Sequence, residues 1–204
     1  MFELMNKLNW METIGVAFSG GVDSVALTEY LISKKFNVVL FYFDHHDVNS
    51  EKERAFVLKY AHDRGLTLVC GQSVREKPVE ESKEEFWRKQ RYDFLHNQKM
   101  QIATGHTLND VVEWYLFTCM HGEGHIMPYQ NKNVIRPLLL TPKEDLIKYC
   151  VNHHIAWCED ASNVDVTFAA RNRIRHNILP EATKINPGLF KVIKKKLMNK
   201  WRIQ

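Results

Sequence analysis

The sequence predicts an α/β domain with a five-stranded parallel sheet and helices on both faces. Short apolar runs rich in Val, Ile and Phe alternate along the chain with longer segments of helical character. Runs that are apolar throughout, rather than at every second position, are typical of strands buried on both faces. A chain of 204 residues suffices for one such domain and a small appendage. We place the main domain at 1–180 and a basic helical tail at 181–204.

Each element has a local justification. The five predicted strands are 14–18, 37–43, 66–70, 101–104 and 134–139, with Pro137 ending the fifth strand or placing it at an edge. The predicted helices are 25–32, 50–64, 83–97 and 141–153. Ser50 with Glu53 forms a capping pattern for the second helix, and Gly65 stops it. Thr141 and Pro142 are typical of a helix start.

The stretch between the first strand and the first helix organises the chain. It consists of Phe18, Ser19, Gly20, Gly21, Val22, Asp23 and Ser24. Glycines let successive backbone N–H groups turn toward one centre, and the start of a helix adds positive potential there. This predicts an anion site, in which a carboxylate such as Asp23 needs a cation beside it, and Mg²⁺ prefers such oxygen ligands.

Two familiar phosphate loops do not match this stretch. The loop lacks the lysine of a Walker-type loop. It also lacks the three spaced glycines of a dinucleotide turn. The remaining alternative is an ordinary turn that opens a helix, which the strand–loop–helix context disfavours.

Polar residues follow two other predicted strands, where ligands bind in open parallel sheets. Asp44 and His45 follow the second strand, whereas for His46 and Asp47 we favour a plain polar loop. The further candidates His106, Asp110 and Glu113 follow the fourth strand. Acids in a first helical turn also suit the helix dipole, so a capping role for the last two stays open.

Charge is unevenly distributed. The net charge of +4 divides into +9 for residues 171–204 and −5 for the remainder. This asymmetry indicates a polyanionic partner at the C-terminal end, with Arg171, Arg173, Arg175, Lys191 and Lys194 as candidate contacts; a solvated helix face is the alternative. Arg88 and Arg91 share a helix face that suits phosphate, although pairing with nearby acids explains them equally well.

Several classes are excluded by composition. The apolar runs are too short to span a bilayer, and residues 1–10 lack a signal-peptide pattern, so we expect a cytoplasmic protein without a membrane partner. The four cysteines show no Cys-x-x-Cys spacing, which argues against a zinc knuckle or a redox pair. We expect free thiols in a reducing compartment.

Taken together, the motifs resemble those of the tRNA(Ile)-lysidine synthetase family, specifically its N-terminal catalytic domain. The loop at Ser19–Ser24 resembles the pyrophosphate loop of ATP pyrophosphatases. The further matching stretches are Asp44-His45, 88–92, Gly105-His106 with Asp110 and Glu113, and 136–139. The strongest match is Glu-Asp-Ala-Ser-Asn-Val-Asp at 159–165 followed by Arg-Asn-Arg-Ile-Arg at 171–175. The resemblance extends from about residue 13 to 187.

The resemblance implies a Rossmann-like fold of the adenine nucleotide alpha hydrolase type and an ATP-dependent ligase that uses Mg²⁺. The O2 atom of a cytidine in the anticodon loop of tRNA(Ile) attacks the α-phosphate of ATP and releases pyrophosphate. The ε-amine of free lysine then displaces AMP, which gives lysidine. The implied partners are therefore the anticodon stem-loop of tRNA(Ile) and free lysine.

The resemblance also implies roles for individual residues. ATP would contact the loop residues Ser19 to Ser24 together with Asp44, His45 and His106. Asp23 and Asp110 would hold the metal and, with Arg88 and Glu113, form the catalytic set, in which Glu113 receives the lysine ammonium. Arg136 would stabilise phosphate charge or contact RNA, and the arginines and lysines of the C-terminal segment would bind RNA.

The chain departs from the family pattern at several points. Asn109 stands where an aspartate is usual, so we expect a weakened metal site, and Val111 and Trp114 replace a glutamine and a threonine. Typical members continue into further C-terminal domains, which we expect to be absent here. Another pyrophosphate-loop enzyme, such as a tRNA thiolase or an amide-forming ligase, and a binding module without catalysis stay open as alternatives. A homodimer also stays open.

Overall fold

A computed structural model describes residues 4–5, 13–45, 50–73, 83–158 and 170–201, and every structural statement below concerns these residues. The motif at 159–165 and the pair at 46–47 lie outside the described residues.

One six-stranded sheet forms the centre of the domain. Its strands are β1 (Thr13–Ala17), β2 (Asn37–Asp44), β3 (Thr67–Gln72), β4 (Ile102–Ala103), β5 (Gln130–Asn131) and β6 (Val134–Ile135). Their order is β3-β2-β1-β4-β6-β5, and all neighbours are parallel except β5 and β6. The five predicted parallel strands are confirmed. Strand β5 was not predicted, because its exposed Gln-Asn dipeptide has low strand propensity and pairs with β6 across a tight turn.

Helices connect and cover the strands. They are α1 (Val22–Ser33), α2 (Ser50–Asp63), α3 (Lys83–His96), α4 (Leu108–Met120), α5 (Lys143–Asn152), α6 (Ala170–Arg173), α7 (Leu179–Ile185) and α8 (Leu189–Trp201). A π-helical turn over Ile174–Ile178 joins α6 to α7. Helix α1 begins three residues earlier than predicted, because Gly21 is extended and serves as its N-cap. No helix among the described residues is long and apolar enough to cross a membrane.

The core explains why the central strands are apolar throughout. Ile14 and Val16 of β1 are fully buried, as are Leu27 and Leu31 of the covering helix α1. Gly15, between Ile14 and Val16 in β1, has no room for a side chain, since a Cβ atom there would lie 2.7 Å from the ring of Phe41. A glycine is therefore required by the close packing of β1 against β2.

The sheet topology fixes where a ligand can bind. From β1 the chain builds β2 and β3 on one side, and then crosses to β4 and β6 on the other side. The carboxyl ends of β1 and β4 therefore lie at the point where the strand order reverses, the usual position of a ligand cleft in an open α/β sheet. The loop at Ser19 and the segment at His106 follow these two strands.

The basic C-terminal segment is packed onto the domain. Helix α8 packs against α4, and its Ile193 and Leu197 are buried in the main core. Lys191 and Lys195 lie on the exposed side of the helix. The segment is thus a structural layer that presents positive charge outward.

Candidate functional site

The loop after β1 is held in shape by its own serines. Gly20 has a φ of +80°, a left-handed conformation that favours glycine. The Ser24 hydroxyl donates to the Gly21 carbonyl at 3.0 Å, and the Ser19 N–H donates to Ser24 Oγ at 3.3 Å. The first turn of α1 is thereby fixed at the edge of the cleft.

Two other segments contact this loop closely. A Cβ atom on Gly105 would lie 3.0 Å from the carbonyl carbon and from the Cβ atom of Asp23. The segment after β4 is therefore packed directly against the first turn of α1. The Cys158 N–H donates to the Gly20 carbonyl at 2.8 Å. The loop is therefore clamped between the residues after β4 and the segment after α5.

A first cavity of about 420 Å³ opens beside the loop. Six of the predicted site residues line it: Ser19, Asp23, Ser24, His45, His106 and Asp110. Aromatic side chains of β2 and α3, including Tyr42, Phe43, Trp87 and Tyr92, also line it, as do the polar side chains of Ser50, Glu53 and Arg91. This mixture of polar groups and rings suits a phosphorylated ligand with a planar base.

The other predicted ATP-binding residues act differently. Gly20 and Gly21 shape the backbone, and Val22 is buried in the core. Asp44 is also buried, at the end of β2, where its carbonyl accepts the Ser73 N–H at 3.0 Å. The cavity wall contains His45 but not Asp44.

Asp23 is the most perturbed acid of the site. Burial raises its pKa to about 6; the neighbouring Lys143, whose Nζ lies 3.5 Å from Oδ2, lowers it, and Asp110 raises it. Its Oδ1 atom is buried and has no hydrogen-bond partner among the described residues. A buried carboxylate oxygen with no donor, beside a second carboxylate, fits a divalent cation better than it fits a structural role.

Asp110 serves both the helix and the cavity. Its Oδ2 atom accepts the Thr107 N–H at 2.7 Å and the Thr107 hydroxyl at 2.9 Å, which caps α4. Its Oδ1 atom lies 3.6 Å from Arg175 Nη2. Both roles considered for Asp110 from the sequence are therefore compatible, since one oxygen caps the helix and the residue lines both cavities.

His106 is held neutral. Desolvation lowers its pKa to about 4. The nearby Asp110 raises this pKa, whereas three arginines lower it further: Arg136, Arg91 and Arg171. Its Nδ1 atom lies 2.8 Å from Thr104 Oγ1, whose hydroxyl is within 3.2 Å of the Ile135 carbonyl. The ring is thus fixed as an uncharged hydrogen-bonding group at neutral pH.

A second cavity of about 460 Å³ adjoins the first. The two cavities share His45, Trp87, Arg91, Tyr92, His106 and Asp110. Five arginines line the second cavity: Arg88, Arg91, Arg136, Arg171 and Arg175. Arginine is suited to phosphate recognition, so the second cavity, which shares Arg91 with the first, is favourable for an anion.

Glu113 forms the acidic side of the second cavity. It is 6% exposed, and Arg175 donates to it through two hydrogen bonds, from Nε at 2.7 Å and from Nη2 at 3.0 Å. Burial raises the pKa of Glu113, whereas this pairing lowers it. Arg175 lies in the π-helical turn, a local irregularity that is frequent at functional sites.

The remaining predicted RNA contacts divide into two groups. Arg136 is 4% exposed and donates to the Pro128 carbonyl at 2.7 Å and to the Tyr92 hydroxyl at 2.9 Å, so only a group inside the second cavity can reach it. Arg173 and Lys191 are exposed, and Lys194 is half-buried on α8. The predicted basic surface therefore lies outside the cavity, apart from Arg171 and Arg175.

The structure gives the Asn109 side chain a different role from the metal site considered in the sequence analysis. Its Oδ1 atom accepts the Lys143 N–H at 2.9 Å, and its Nδ2 atom lies 3.4 Å from Glu144 Oε1. The side chain thus caps α5, and it lines neither cavity. An amide satisfies a free N–H at a helix start, which explains its presence here.

Sequence reasoning missed Lys143 and Trp87. Lys143 reaches Asp23 from the first residue of α5, more than a hundred positions away in the chain. Trp87 stacks against His45 with ring centroids 5.2 Å apart and lines both cavities. No local pattern marks either residue, because only the folding of α3 and α5 around the cleft brings them there.

The doubly wound sheet, the glycine loop and the cavity at the switch point define an α/β domain built to bind a phosphorylated ligand. The chain belongs to the PP-loop domain family, an ATP-binding type of domain, whose model matches residues 2–182. This membership supports the use of ATP.

Relatives of known name give a consistent picture. The chain is 32% identical to the tRNA(Ile)-lysidine synthase of Lactiplantibacillus plantarum over 90% of its length, which is 45% of that protein. It is 34% identical to that of Persephonella marina over 87% of its length, or 43% of the relative. The predicted resemblance is confirmed, and the chain spans about half the length of the curated relatives it matches.

A solved structure supports the fold. The U34-tRNA thiolase NcsA of Methanococcus maripaludis superposes with a TM-score of 0.74 at 15% identity, covering 94% of this chain and 72% of that one. At this identity the likeness shows a shared α/β architecture.

Proposed function

We propose that this chain is the catalytic part of a tRNA-modifying ligase that adenylates a cytidine of tRNA(Ile) with ATP and replaces AMP with lysine. The observation that carries the proposal is the meeting of two cavities at one shared wall of six residues. A reaction at the α-phosphate of ATP needs a nucleotide on one side and the attacking groups on the other. The similarity to named lysidine synthases supports lysine and tRNA(Ile) as the substrates.

The first cavity would hold ATP. The loop at Ser19–Ser24 and the start of α1 would receive the β- and γ-phosphates, because helix N-termini favour anions. The rings of Tyr42, Phe43 and Trp87 would enclose the adenine. The α-phosphate would then lie toward Arg91 and His106, at the junction of the cavities.

Asp23 and Asp110 would hold Mg²⁺, since both line the first cavity and the buried Oδ1 atom of Asp23 lacks a donor. The ion would neutralise charge that develops on the departing pyrophosphate. Lys143 would keep Asp23 ionised despite its burial, since the ammonium lowers the pKa of that carboxyl.

The second cavity would hold the acceptor base and lysine. In the first step, a bond forms between cytosine O2 and the α-phosphorus while the bond to pyrophosphate breaks, and Arg88 and Arg91 stabilise the phosphate charge. In the second step, the lysine ε-nitrogen bonds to C2, the C2–O bond to AMP breaks, and the amine loses a proton. Glu113 would bind the ammonium through its carboxylate, each oxygen of which accepts one hydrogen bond from Arg175, and the raised pKa suits it to accept that proton.

Arg175 is better assigned to this cavity than to an RNA surface. Its guanidinium is paired with Glu113 and lies close to Asp110, so little of its charge is available to a phosphate backbone. Arg171 lines the second cavity, and Arg173, Lys191 and Lys194 are not among its lining residues. These four residues remain the proposed contacts for the RNA backbone.

The products of the reaction test the proposal. The chain, ATP, Mg²⁺, lysine and tRNA(Ile) should together yield AMP, pyrophosphate and lysidine, detected by nucleoside mass spectrometry. Asp23→Ala should abolish all three products. The appearance of ADP and orthophosphate would contradict the proposal, as would full activity of Asp23→Ala.

RNA binding has its own test. Arg173→Ala should weaken tRNA binding and lower the salt dependence by roughly one log–log unit per lost phosphate contact, while ATP binding stays unchanged. Fluorescence anisotropy across a salt series measures this. Lys99→Ala is a matched control, because it removes a positive charge from a position outside both cavities and the C-terminal segment. Equal slopes for the two variants would contradict the assignment of Arg173.

A further inference from the structure

A stripe of stacked rings runs along α4 away from the second cavity. Its members are Trp114, Phe117 and His121, which we call the α4 ladder. The rings of Trp114 and Phe117 lie 6.0 Å apart at 22°, and those of Phe117 and His121 lie 4.3 Å apart at 31°. Trp114 also lines the second cavity. The ladder therefore begins at the proposed acceptor site and continues over the surface.

The hydrophobic core accounts for only part of this stripe. Trp114 is partly buried and packs against the main core. Phe117 has a large, partly buried side chain, yet it belongs to neither core cluster of the described residues. His121 is exposed. Aromatic rings kept in contact at a surface next to a cavity are typical of a binding site.

Positive charge lies beside the ladder. The Arg171 guanidinium is 5.3 Å from the centroid of the Trp114 ring. Arg171 and Arg175 line the cavity at the same end of the helix. Arginine beside aromatic rings is a combination typical of sites for single-stranded nucleic acid, since the charge attracts the backbone and the rings stack with bases.

We propose that the α4 ladder stacks the bases of the nucleotides that adjoin the reacting cytidine in the RNA. This inference rests on the proposed function, because it takes the second cavity as the acceptor site. The eight residues from Trp114 to His121 cover seven rises of roughly 1.5 Å each, or roughly 10 Å. That length corresponds to roughly three spacings of 3.4 Å between stacked bases. A base drawn into the cavity would thus leave its neighbours over the ladder.

Trp114, the first ring of the ladder, directly follows Glu113 in the sequence, so the acidic residue and this ring are adjacent. Stacking is tolerant of base identity, because every base has a π-face. The ladder therefore supplies affinity and positioning, whereas the choice of RNA must come from other contacts.

The chain contains a matched control for the ladder. Tyr149 and His153 of α5 form the same arrangement, with ring centroids 4.2 Å apart and His153 Nδ1 2.8 Å from the Tyr149 carbonyl. In the ladder, His121 Nδ1 lies 2.8 Å from the Phe117 carbonyl. The α5 pair lines neither cavity. His153→Ala thus reproduces the local helix-end effect of His121→Ala without touching the ladder.

The experiment uses the full chain and a tRNA(Ile) anticodon stem-loop that carries 2-aminopurine at one of the two nucleotides flanking the reacting cytidine. Binding to the wild-type chain should quench the 2-aminopurine fluorescence at one of these positions at least. Phe117→Leu should weaken binding roughly ten-fold and reduce the quenching, because base–aromatic stacking contributes at this level. Phe117→Tyr should restore both. His121→Ala should weaken binding more than His153→Ala, and ATP binding should be equal in all variants.

The outcomes separate the ladder from the reaction. The proposed stacking on the ladder is wrong if Phe117→Leu and His121→Ala both bind the stem-loop and quench its fluorescence as the wild type does, even if AMP and lysidine form normally. Quenching that depends on Phe117, in a mixture that forms no AMP, would support the ladder and overturn the proposed reaction. A stem-loop that the wild-type chain does not bind would overturn both. A melting temperature for Phe117→Leu within a few degrees of wild type shows that the variant is folded.

Discussion

Asp23 provides the sharpest prediction, because the same carboxylate is proposed to be needed for metal binding and to destabilise the free folded protein. Raising a carboxyl pKa from the ordinary 3.8 to about 6 corresponds to roughly 3 kcal/mol against the ionised form in the folded protein. The side chain is 28% exposed, and an asparagine would lose the attraction to Lys143. We therefore expect Asp23→Asn to stabilise the free protein by about 1–2 kcal/mol at pH 8.

The pH dependence follows from the direction of the shift. The unfolded chain loses the Asp23 proton near pH 3.8 and the folded chain near pH 6, so wild-type stability from this group falls between these values and is constant above pH 7. Asp23→Asn does not titrate. Its advantage should therefore be absent at pH 4, grow up to pH 6 and stay constant at pH 8.

Thermal unfolding with and without Mg²⁺ and ATP is the measurement. At pH 8 the variant should melt roughly 3–8 °C above wild type without ligand, a size typical of a chain this long. Mg²⁺ with ATP should raise the wild-type melting temperature and have little effect on the variant, because ligand binding stabilises only the form that binds. Urea unfolding at pH 4 and pH 8 gives the free-energy difference directly.

A control and a refuting result complete this test. Asp63→Asn also removes a carboxylate, but the pKa of Asp63 is lowered by its hydrogen bond to Lys59, so this variant should not be stabilised at pH 8. The reasoning fails if Asp23→Asn is less stable than wild type at pH 8, or if its advantage is the same at pH 4. Equal stabilisation of both proteins by Mg²⁺ and ATP would remove Asp23 from the metal site.

Three further predictions concern residues whose contacts or burial only the structure shows. Arg175→Ala should destabilise the protein by about 3 kcal/mol, because it leaves the buried Glu113 carboxylate unpaired, and Arg175→Ala with Glu113→Gln should recover most of this in urea unfolding; a double variant no more stable than the single one would contradict the pairing. Asn109→Ala should cost roughly 1 kcal/mol through the lost α5 cap and leave the Mg²⁺ titration of activity unchanged, and a shifted titration would return position 109 to the metal site. The exposed Cys70 and Cys119 should react rapidly with a thiol reagent at pH 8, whereas the buried Cys150, whose pKa burial raises to about 11, and Cys158 should react only on unfolding; rapid labelling of all four would contradict the described packing.

The sequence by itself determined the elements and the loop. Continuous apolar runs are a property of the local sequence, so the five parallel strands followed from them. The bounds of α2, α3 and α5 were predicted to within about two residues. The glycine loop before α1 and Asp23 in its first turn could also be recognised from the sequence, because the anion-binding geometry of a strand–loop–helix unit is built from adjacent residues. Strand β5 was missed because two exposed polar residues carry no such signal.

Only the tertiary structure decided which distant side chains share the site. The pair of Lys143 with Asp23 and the pair of Arg175 with Glu113 join residues 120 and 62 positions apart, and sequence patterns report periodicity over a few residues only. The same limitation hid the contact of Asn109 with α5, whose first N–H group donates to the Asn109 side chain. Burial then sets the charges, since removing water from Asp23 and His106 shifts their pKa values in ways that depend on every neighbour that the fold supplies.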